Sequence, residues 1–189
     1  NLSVQDSEIL SLSAKQDHRW EINGEYLGNN IRNSTIITAP GETGQVILEA
    51  INIGNLEDDI ALETSISIRY AGSDDSQGWN ASGTSIEGIQ VNQTGNPSIS
   101  WSVPNDAWNG TIMQITVDAN ARGETVDTII FSIEVPHIKE WRAISSQVDL
   151  EINPEGSSID IEIMQLGNSP SNAYSTVYVN GSNDWIVET

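Results

Sequence analysis

The sequence contains no cysteine and very few basic residues, and each shortage excludes a class of function. Without cysteine, no disulfide framework, zinc–thiolate site or thiol nucleophile can form. Lys and Arg together number 7 against 27 Asp and Glu, which gives a formal net charge of −20. A chain this acidic is expected to bind neither nucleic acid, whose phosphates need cationic partners, nor an anionic membrane surface.

Long apolar runs are missing as well. No segment approaches the roughly 18–20 consecutive apolar residues of a membrane-spanning helix, so we expect no direct membrane insertion by this chain. A secretory signal sequence is not visible either. Because the sequence starts at Asn1 and stops at Thr189 in the middle of a pattern, we expect it to be part of a longer polypeptide.

Short stretches in which apolar and polar residues alternate make up most of the chain. Clear examples run from Ile60 to Tyr70 and from Ile129 to Val135. A period of two indicates a strand with one buried face and one solvated face. Turns rich in Gly, Pro and Asn separate these stretches at the spacing of a sandwich. The pattern therefore predicts an all-β protein with an immunoglobulin-like β-sandwich fold.

An internal repeat divides the chain. Residues 36–55 read IITAPGETGQVILEAINIGN, and residues 149–168 read DLEINPEGSSIDIEIMQLGN. The offset between matching motifs, about 106 to 121 residues, is near the size of one immunoglobulin-like domain. We predict one complete copy at 36–137 and a partial second copy at 138–189, which lacks counterparts of the strands at 98–135.

The alternation of apolar and polar residues is less regular in residues 1–35. For this segment we predict short strands and a loop that pack on the second copy. Half a sandwich leaves one sheet face and several strand edges uncovered. The half-domain is expected either to pack on residues 1–35 or to pair with another chain through the uncovered edges, and the alternative is that its missing part lies outside this sequence. The expected partners are therefore neighbouring domains of the same polypeptide, or other copies that associate through the uncovered sheet edges.

Several turns and strand ends resemble a known type of module. They are Pro40-Gly41-Glu42, the run VILEAINIGN, Trp79, the run PSISWSVPNDAWNGT and the run MQITVDA. These motifs resemble the NPCBM-associated β-sandwich domain of secreted alpha-galactosidases and the CARDB (cell-adhesion-related) domains. The resemblance covers about 36–137 and part of 148–189, where Gln165 replaces the counterpart of Asn52. It implies a non-catalytic extracellular spacer or adhesion module, and it transfers no catalytic residues.

Residues for catalysis do not stand out. The two histidines are His18, in an irregular segment, and His137, at the domain junction, and no Gly-x-Ser-x-Gly motif accompanies them. Paired carboxylates can hydrolyse glycosides, but acidic residues are so frequent here that no pair is distinguished. We therefore predict no catalytic site and no enzymatic activity.

Calcium is the best metal candidate, because hard cations prefer carboxylate and carbonyl oxygens on loops. The candidate ligands are Asp74 and Asp75 in a Gly/Ser-rich loop, followed by Asp58 and Asp59. Neither cluster has the Asp-x-Asp-x-Asp-Gly spacing of a strong motif, and solvated turns would explain both. Beyond this calcium candidate we expect no cofactor.

Two tryptophans and five asparagines are candidates for carbohydrate. Trp79 and Trp108 lie beside Gly/Asn turns, where an exposed indole stacks on a sugar ring, although a Trp near a strand end more often covers the core. Asn-x-Ser/Thr sequons are acceptors for N-glycosylation. The sequons are at Asn33, Asn80, Asn92, Asn109 and Asn180.

Together these features predict a non-catalytic structural or adhesion spacer at the cell surface or outside the cell. The alternative is a carbohydrate-binding accessory module of a secreted hydrolase, which would have a glycan as its partner. A ligand pocket would count against the first hypothesis, and an absence of glycan binding against the second.

Overall fold

The structure, a computed structural model, describes residues 15–145, 155 and 157–173. Within them every regular element is a β-strand, and none forms a helix long and apolar enough to cross a membrane. The strands are β1 (Trp20–Tyr26), β2 (Asn29–Asn30), β3 (Thr35–Ile37), β4 (Thr43–Asn52), β5 (Asp58–Arg69), β6 (Asn80–Gly83), β7 (Ser85–Ile89), β8 (Thr94–Gly95), β9 (Ser98–Ser102), β10 (Ile112–Ala121), β11 (Glu124–Glu134), β12 (Trp141–Ser145) and β13 (Ile161–Gln165).

The first eleven strands form two sheets. One sheet has the order β2-β1-β4-β9-β6, with β8 also paired to β4, and the other has the order β3-β11-β10-β5-β7. Among these pairs β3 and β11 run parallel, and the others run antiparallel. Strands β12 and β13 form a separate antiparallel pair.

The two large sheets enclose one hydrophobic core, because each presents its alternate apolar residues to the other. Strand β10 buries Met113, Ile115 and Val117 at every second position. Trp101 of the facing sheet meets Phe131 edge-on, with ring centroids 5.9 Å apart. The predicted fold class, an all-β immunoglobulin-like β-sandwich, is confirmed.

The first sandwich begins before residue 36. Strand β1 pairs with β4 from Trp20, opposite Asn52, to Gly24, opposite Leu48, and it adds Trp20 and Ile22 to the core. The sequence pattern is weak here because Gly24 interrupts the alternation; the Leu48 side chain occupies the space where a Cβ would lie. Residues 15–35 therefore belong with the first sandwich and not with the second copy, whereas residues 1–14 lie outside the described part.

Candidate inter-repeat junction

The chain passes from the first sandwich to the second copy through a short linker. It leaves β11 at Glu134 and enters β12 at Trp141. Pro136, near the start of this linker, has no backbone N–H and so cannot continue the sheet pairing as a donor. The linker runs beside the Gly167-Asn168 turn that follows β13.

Asn168 fastens the linker to this turn. Its Oδ1 accepts a hydrogen bond from the N–H of Ile138 at 2.9 Å, and its Nδ2 donates to the C=O of Pro136 at 2.8 Å. A side-chain amide has one donor group and one acceptor, so it pairs with an extended backbone as a neighbouring strand would. A Cβ on Gly167 would lie 2.2 Å from the carbonyl oxygen of Ile138, so only glycine permits this approach.

The first sandwich also contacts the turn directly. The backbone N–H of Asn109 donates to the C=O of Asn168 at 3.2 Å. In addition, Ser169 Oγ, on a buried residue, lies 2.9 Å from Nε2 of His137. The turn of the second copy is thus hydrogen-bonded both to the linker and to a loop of the preceding sandwich.

The same arrangement exists at the start of the first sandwich. Asn55 Oδ1 accepts a hydrogen bond from the N–H of Asp17 at 2.9 Å, and its Nδ2 donates to the C=O of Lys15 at 2.7 Å. A Cβ on Gly54 would lie 2.2 Å from the carbonyl oxygen of Asp17. We call each of these two arrangements, one made by Asn55 and one by Asn168, an asparagine clamp.

The strand register beside each clamp is repeated as well. Trp20 pairs with Asn52 in the first copy, and Trp141 pairs with Gln165 in the second. Asn52 Nδ2 donates to the C=O of Leu56 at 2.8 Å. Gln165 Nε2 donates to the C=O of Ser169, four residues further along the chain, in the same way. The replacement of Asn by Gln therefore preserves the hydrogen bond.

Asp74 holds the loop of the first sandwich that contacts the second copy. Its Oδ2 accepts hydrogen bonds from Thr111 Oγ1 at 2.5 Å and from the N–H of Trp108 at 3.0 Å, and its Oδ1 accepts one from the N–H of Ser76 at 2.8 Å. Burial raises the pKa of this carboxyl, but the hydrogen bonds outweigh burial and hold the pKa below its ordinary value of 3.8.

A buried ionic cluster lies at the opposite end of the first sandwich. The Asp58 side chain is 1% exposed; its Oδ2 is 2.8 Å from His18 Nδ1, and its Oδ1 accepts a hydrogen bond from Arg122 Nε at 3.1 Å. Burial raises the pKa of Asp58, and the hydrogen bonds from His18 and Arg122 more than offset that effect, so its pKa lies below 3.8. The cluster joins the segment before β1 to β5 and to the turn after β10.

The structure does not bring the predicted calcium ligands together. Asp74 and Asp58 use their carboxylate oxygens on protein donors, and Asp59 accepts a hydrogen bond from the N–H of Gly88. Asp75 is exposed. Among the described residues there is no group of three His, Cys, Asp or Glu that could hold a metal ion. Calcium binding at these positions stays a prediction.

The two candidate tryptophans have different environments. Trp79 is buried in the core, and its Nε1 donates to Ser76 Oγ at 3.2 Å. This burial contradicts the expectation that Trp79 stacks on a sugar, because only 8% of the residue is exposed. Trp108 is half-buried and lines a cleft of about 630 Å³ at the junction, beside Asn105, Glu140 and Gln165.

The predicted glycosylation sites are distributed over the surface. Asn33, Asn80 and Asn92 are exposed, whereas Asn109 is half-buried at the junction, and Asn180 lies outside the described residues. A glycan on Asn109 would stand next to its contact with Asn168. Occupancy of all five sequons stays a prediction.

Sequence reasoning did not identify the clamps. The available signal is the Gly-Asn pair that ends both 20-residue motifs, which by itself predicts only a turn. The backbone that each asparagine binds has no shared sequence, since Lys15-Gln16-Asp17 corresponds to Pro136-His137-Ile138. Only backbone groups are recognised, so the partner segments carried no side-chain pattern to compare.

No protein-family model matches this chain, and no curated protein sequence does so either. Among solved structures, the chain is similar to the ASH/PapD-like domain 7 of human CEP192, with 20% identity, a TM-score of 0.39, and coverage of 71% of this chain and 96% of that one. It is also similar to a family 123 glycoside hydrolase from Clostridium perfringens, with 13% identity and a TM-score of 0.47. That similarity covers 62% of this chain but only 27% of the hydrolase.

Proposed function

We propose that this chain is a non-catalytic spacer of a modular cell-surface or secreted protein, in which immunoglobulin-like sandwiches follow one another through clamped linkers. The observation that carries the proposal is the asparagine clamp, which is made by Asn55 and again by Asn168.

A clamped linker suits a spacer because it restricts the motion between neighbouring sandwiches. Domains joined by a short linker and a small interface usually move relative to one another. Here the backbone on both sides of His137 is hydrogen-bonded to Asn168, and Asn168 is in turn bonded to Asn109 of the preceding sandwich. In a series of such junctions the orientation of each sandwich would be fixed relative to the next. A domain at one end of the series would then be held at a constant distance from the other end.

The surroundings of the spacer are inferred from composition and resemblance. A net charge of −20 keeps a repeated chain soluble and prevents non-specific association with nucleic acid and acidic membranes. The sequence motifs resemble NPCBM-associated and CARDB domains, which are extracellular modules found beside enzymes or surface anchors. We therefore place the protein at the cell surface or outside the cell, with neighbouring domains of the same polypeptide as its main partners.

The proposal is tested by measuring how rigid the junction is. The chain has no cysteine, so Ser67→Cys on β5 and Glu162→Cys on β13, both exposed, provide a unique pair of spin-label sites. Pulsed electron paramagnetic resonance should give a narrow distance distribution. Asn168→Asp should broaden it, because the carboxylate has no N–H for Pro136 and repels that carbonyl oxygen.

Asn55→Asp is the matched control, since it breaks the equivalent clamp at the far end of the first sandwich, outside the labelled pair. We expect it to leave the distance distribution narrow. A broad distribution in the unmodified labelled chain, or no broadening by Asn168→Asp, would contradict the spacer proposal.

Carbohydrate binding is the second candidate, and the position of Trp108 favours it. This half-buried indole borders the junction cleft with the polar side chains of Asn105, Glu140 and Gln165, a combination that suits a sugar ring. A glycan array tests it: binding should disappear in Trp108→Ala and persist in Trp141→Ala, whose indole does not line the cleft. An array without signal for the unmodified chain would exclude this candidate.

A further inference from the structure

The second half of strand β5 has an edge that pairs with no other strand in the part of the chain that the structure describes. Strand β10 pairs with β5 from Ala61 to Arg69, but β7 pairs only with its first residues, up to Ala61 opposite Ser85. The N–H of Leu62 then donates to the C=O of Thr84 at 3.2 Å. Because successive residues of a strand turn their backbone groups to opposite edges, the even-numbered residues of β5 point away from β10.

Ile66 and Ile68 carry the free backbone groups of this edge. By the same alternation their N–H and C=O groups point outward, and no other described residue forms a hydrogen bond with them. Their side chains continue the inner face of β5, yet Ile66 is 39% exposed. An edge with free backbone groups and apolar side chains is a template for pairing with another strand.

The opposite side of the sandwich is closed. There Arg32 donates to the C=O of Ile22 on β1 at 3.0 Å and to the C=O of Thr128 on β11 at 2.9 Å. Its guanidinium also pairs with the carboxylate of Asp127. One arginine thus occupies edge carbonyls of both sheets, so we expect pairing with another chain at the β5 edge and not on this side.

The same edge of a second copy fits this edge in one register. The free stretch lies between Leu62, whose N–H is already bonded, and Tyr70, which follows the end of the strand, so its centre is Ile66. Two such stretches overlap fully in antiparallel pairing when the Ile66 residues of the two copies lie opposite each other. Thr64 of each copy then lies opposite Ile68 of the other, and all the outward-pointing backbone groups are matched.

This register also brings opposite charges together. Glu63 and Arg69 are exposed on the outer face of β5, at equal distances along the strand from Ile66. Arg69 of each copy would therefore lie directly opposite Glu63 of the other, at a spacing at which opposite charges attract. Neither residue forms an ion pair with another described residue, and Glu63 already lies opposite a second carboxylate, Asp118 on β10. The two pairs would offset locally the repulsion between chains of net charge −20.

We infer that two copies of this chain pair antiparallel through the free edge of β5, from Thr64 to Ile68, with the Glu63–Arg69 pairs fixing the register. The contact uses the same surface on both copies, so it closes as a dimer and grows no further. One strand edge per copy buries less surface than a stable complex needs, so we expect a dissociation constant on the order of 0.1 mM.

This pairing is separate from the spacer role, because a chain that stays monomeric can still have a rigid junction. At about 10 µM, well below the expected dissociation constant, the spin-label distances across the junction report on single chains. The two proposals can therefore fail independently.

Reciprocal charge variants test the inference by sedimentation velocity of the full chain, from about 10 µM to about 1 mM in about 0.15 M NaCl. We expect the average mass of the wild-type chain to rise from that of one copy toward that of two. Glu63→Arg places two arginines opposite each other, and Arg69→Glu places two glutamates opposite each other, so each variant should weaken dimerisation about tenfold. An equimolar mixture of the two variants should restore dimerisation, because each chain then meets opposite charges in the other.

Glu49→Arg is the matched control, since Glu49 is exposed on β4 in the other sheet and its substitution changes the net charge as much as Glu63→Arg does. It should not weaken dimerisation, because a smaller negative charge reduces the repulsion between copies. A wild-type chain that stays monomeric throughout or grows beyond two copies would overturn the inference. So would charge variants that dimerise as well as wild type, a mixture no stronger than either variant alone, or an equal loss in Glu49→Arg.

Discussion

Asn168 makes in the second copy the same two side-chain hydrogen bonds that Asn55 makes in the first. In each case the amide bridges a carbonyl and the N–H two residues later, which lie on the same edge of an extended chain. A glycine precedes each asparagine, because a Cβ would collide with a backbone oxygen. The repetition of this geometry supports the proposal that sandwiches follow one another through linkers of the same kind.

The buried Asp58 should make the first sandwich sensitive to acid. Its folded-state pKa lies below 3.8, so its contribution to stability is fully present above about pH 5 and is lost as the pH falls through the folded-state pKa. Asp58→Asn should lower the free energy of unfolding at pH 7 by about 1–3 kcal/mol, since Arg122 and His18 lose the negative charge of their buried partner. It should also flatten the dependence of stability on pH below about pH 5.

Urea unfolding followed by tryptophan fluorescence, at intervals from about pH 7 to about pH 2.5, measures both effects of Asp58→Asn. Glu63→Gln is the control, because Glu63 lies exposed on the same strand and its removal should change stability by less than about 0.5 kcal/mol. An Asp58→Asn chain with unaltered acid sensitivity would show that other carboxylates dominate.

Asp74 and Asp75 are adjacent, but only Asp74 should matter for stability. In Asp74→Asn an N–H₂ group replaces one carboxylate oxygen, so it faces an N–H or O–H donor of Thr111, Trp108 or Ser76 instead of accepting from it. The loss of these hydrogen bonds should lower the free energy of unfolding by about 1–2 kcal/mol. Asp75→Asn should have almost no effect, because its side chain is exposed. Chemical denaturation of both variants at neutral pH checks this, and equal losses would contradict the assigned role of Asp74.

The alternating stretches predicted the fold because burial on one face of a strand requires a period of two. The point at which burial ends along a strand was less predictable. Ile66 continues the alternation that begins at Ile60 but is 39% exposed, since β7 pairs only with the first residues of β5 and leaves the rest of that strand at the sheet edge. The assignment of residues 15–35 failed for a related reason. Strand β1 contributes Trp20, Ile22 and the partly buried Tyr26 to the core, but Gly24 interrupts their alternation, so the sequence pattern is too short to predict the pairing with β4.

The junction was harder to predict than the fold, because it depends on backbone groups that have no residue signature. Asp74 was selected from the sequence for its charge, as a calcium ligand, yet the structure uses that charge to order the loop at Trp108. Trp79 was selected for its turn-like neighbours but is buried. In both cases local composition identified an unusual residue and could not identify its partners.

Calcium should have little effect on this chain. The oxygens of Asp74 and Asp58 are already occupied by protein donors, so an ion would have to displace those hydrogen bonds. We expect about 5 mM CaCl₂ to leave the urea midpoint of the first sandwich unchanged relative to the same concentration of MgCl₂. A calcium-specific increase that Asp75→Asn abolishes would instead support the calcium site predicted from sequence.

Replacing Gly54 or Gly167 by alanine should cause the same steric clash, but the effect should appear in the first sandwich for Gly54 and at the junction for Gly167. A Cβ at either position would lie 2.2 Å from a backbone carbonyl oxygen, of Asp17 or Ile138 respectively. Gly54→Ala should lower the free energy of unfolding of the first sandwich by about 1–3 kcal/mol. Gly167→Ala should leave that transition intact while accelerating amide hydrogen exchange at Ile138 and Leu166, whose N–H groups are bonded across the junction. Unchanged exchange in Gly167→Ala would mean that the turn does not need this close approach.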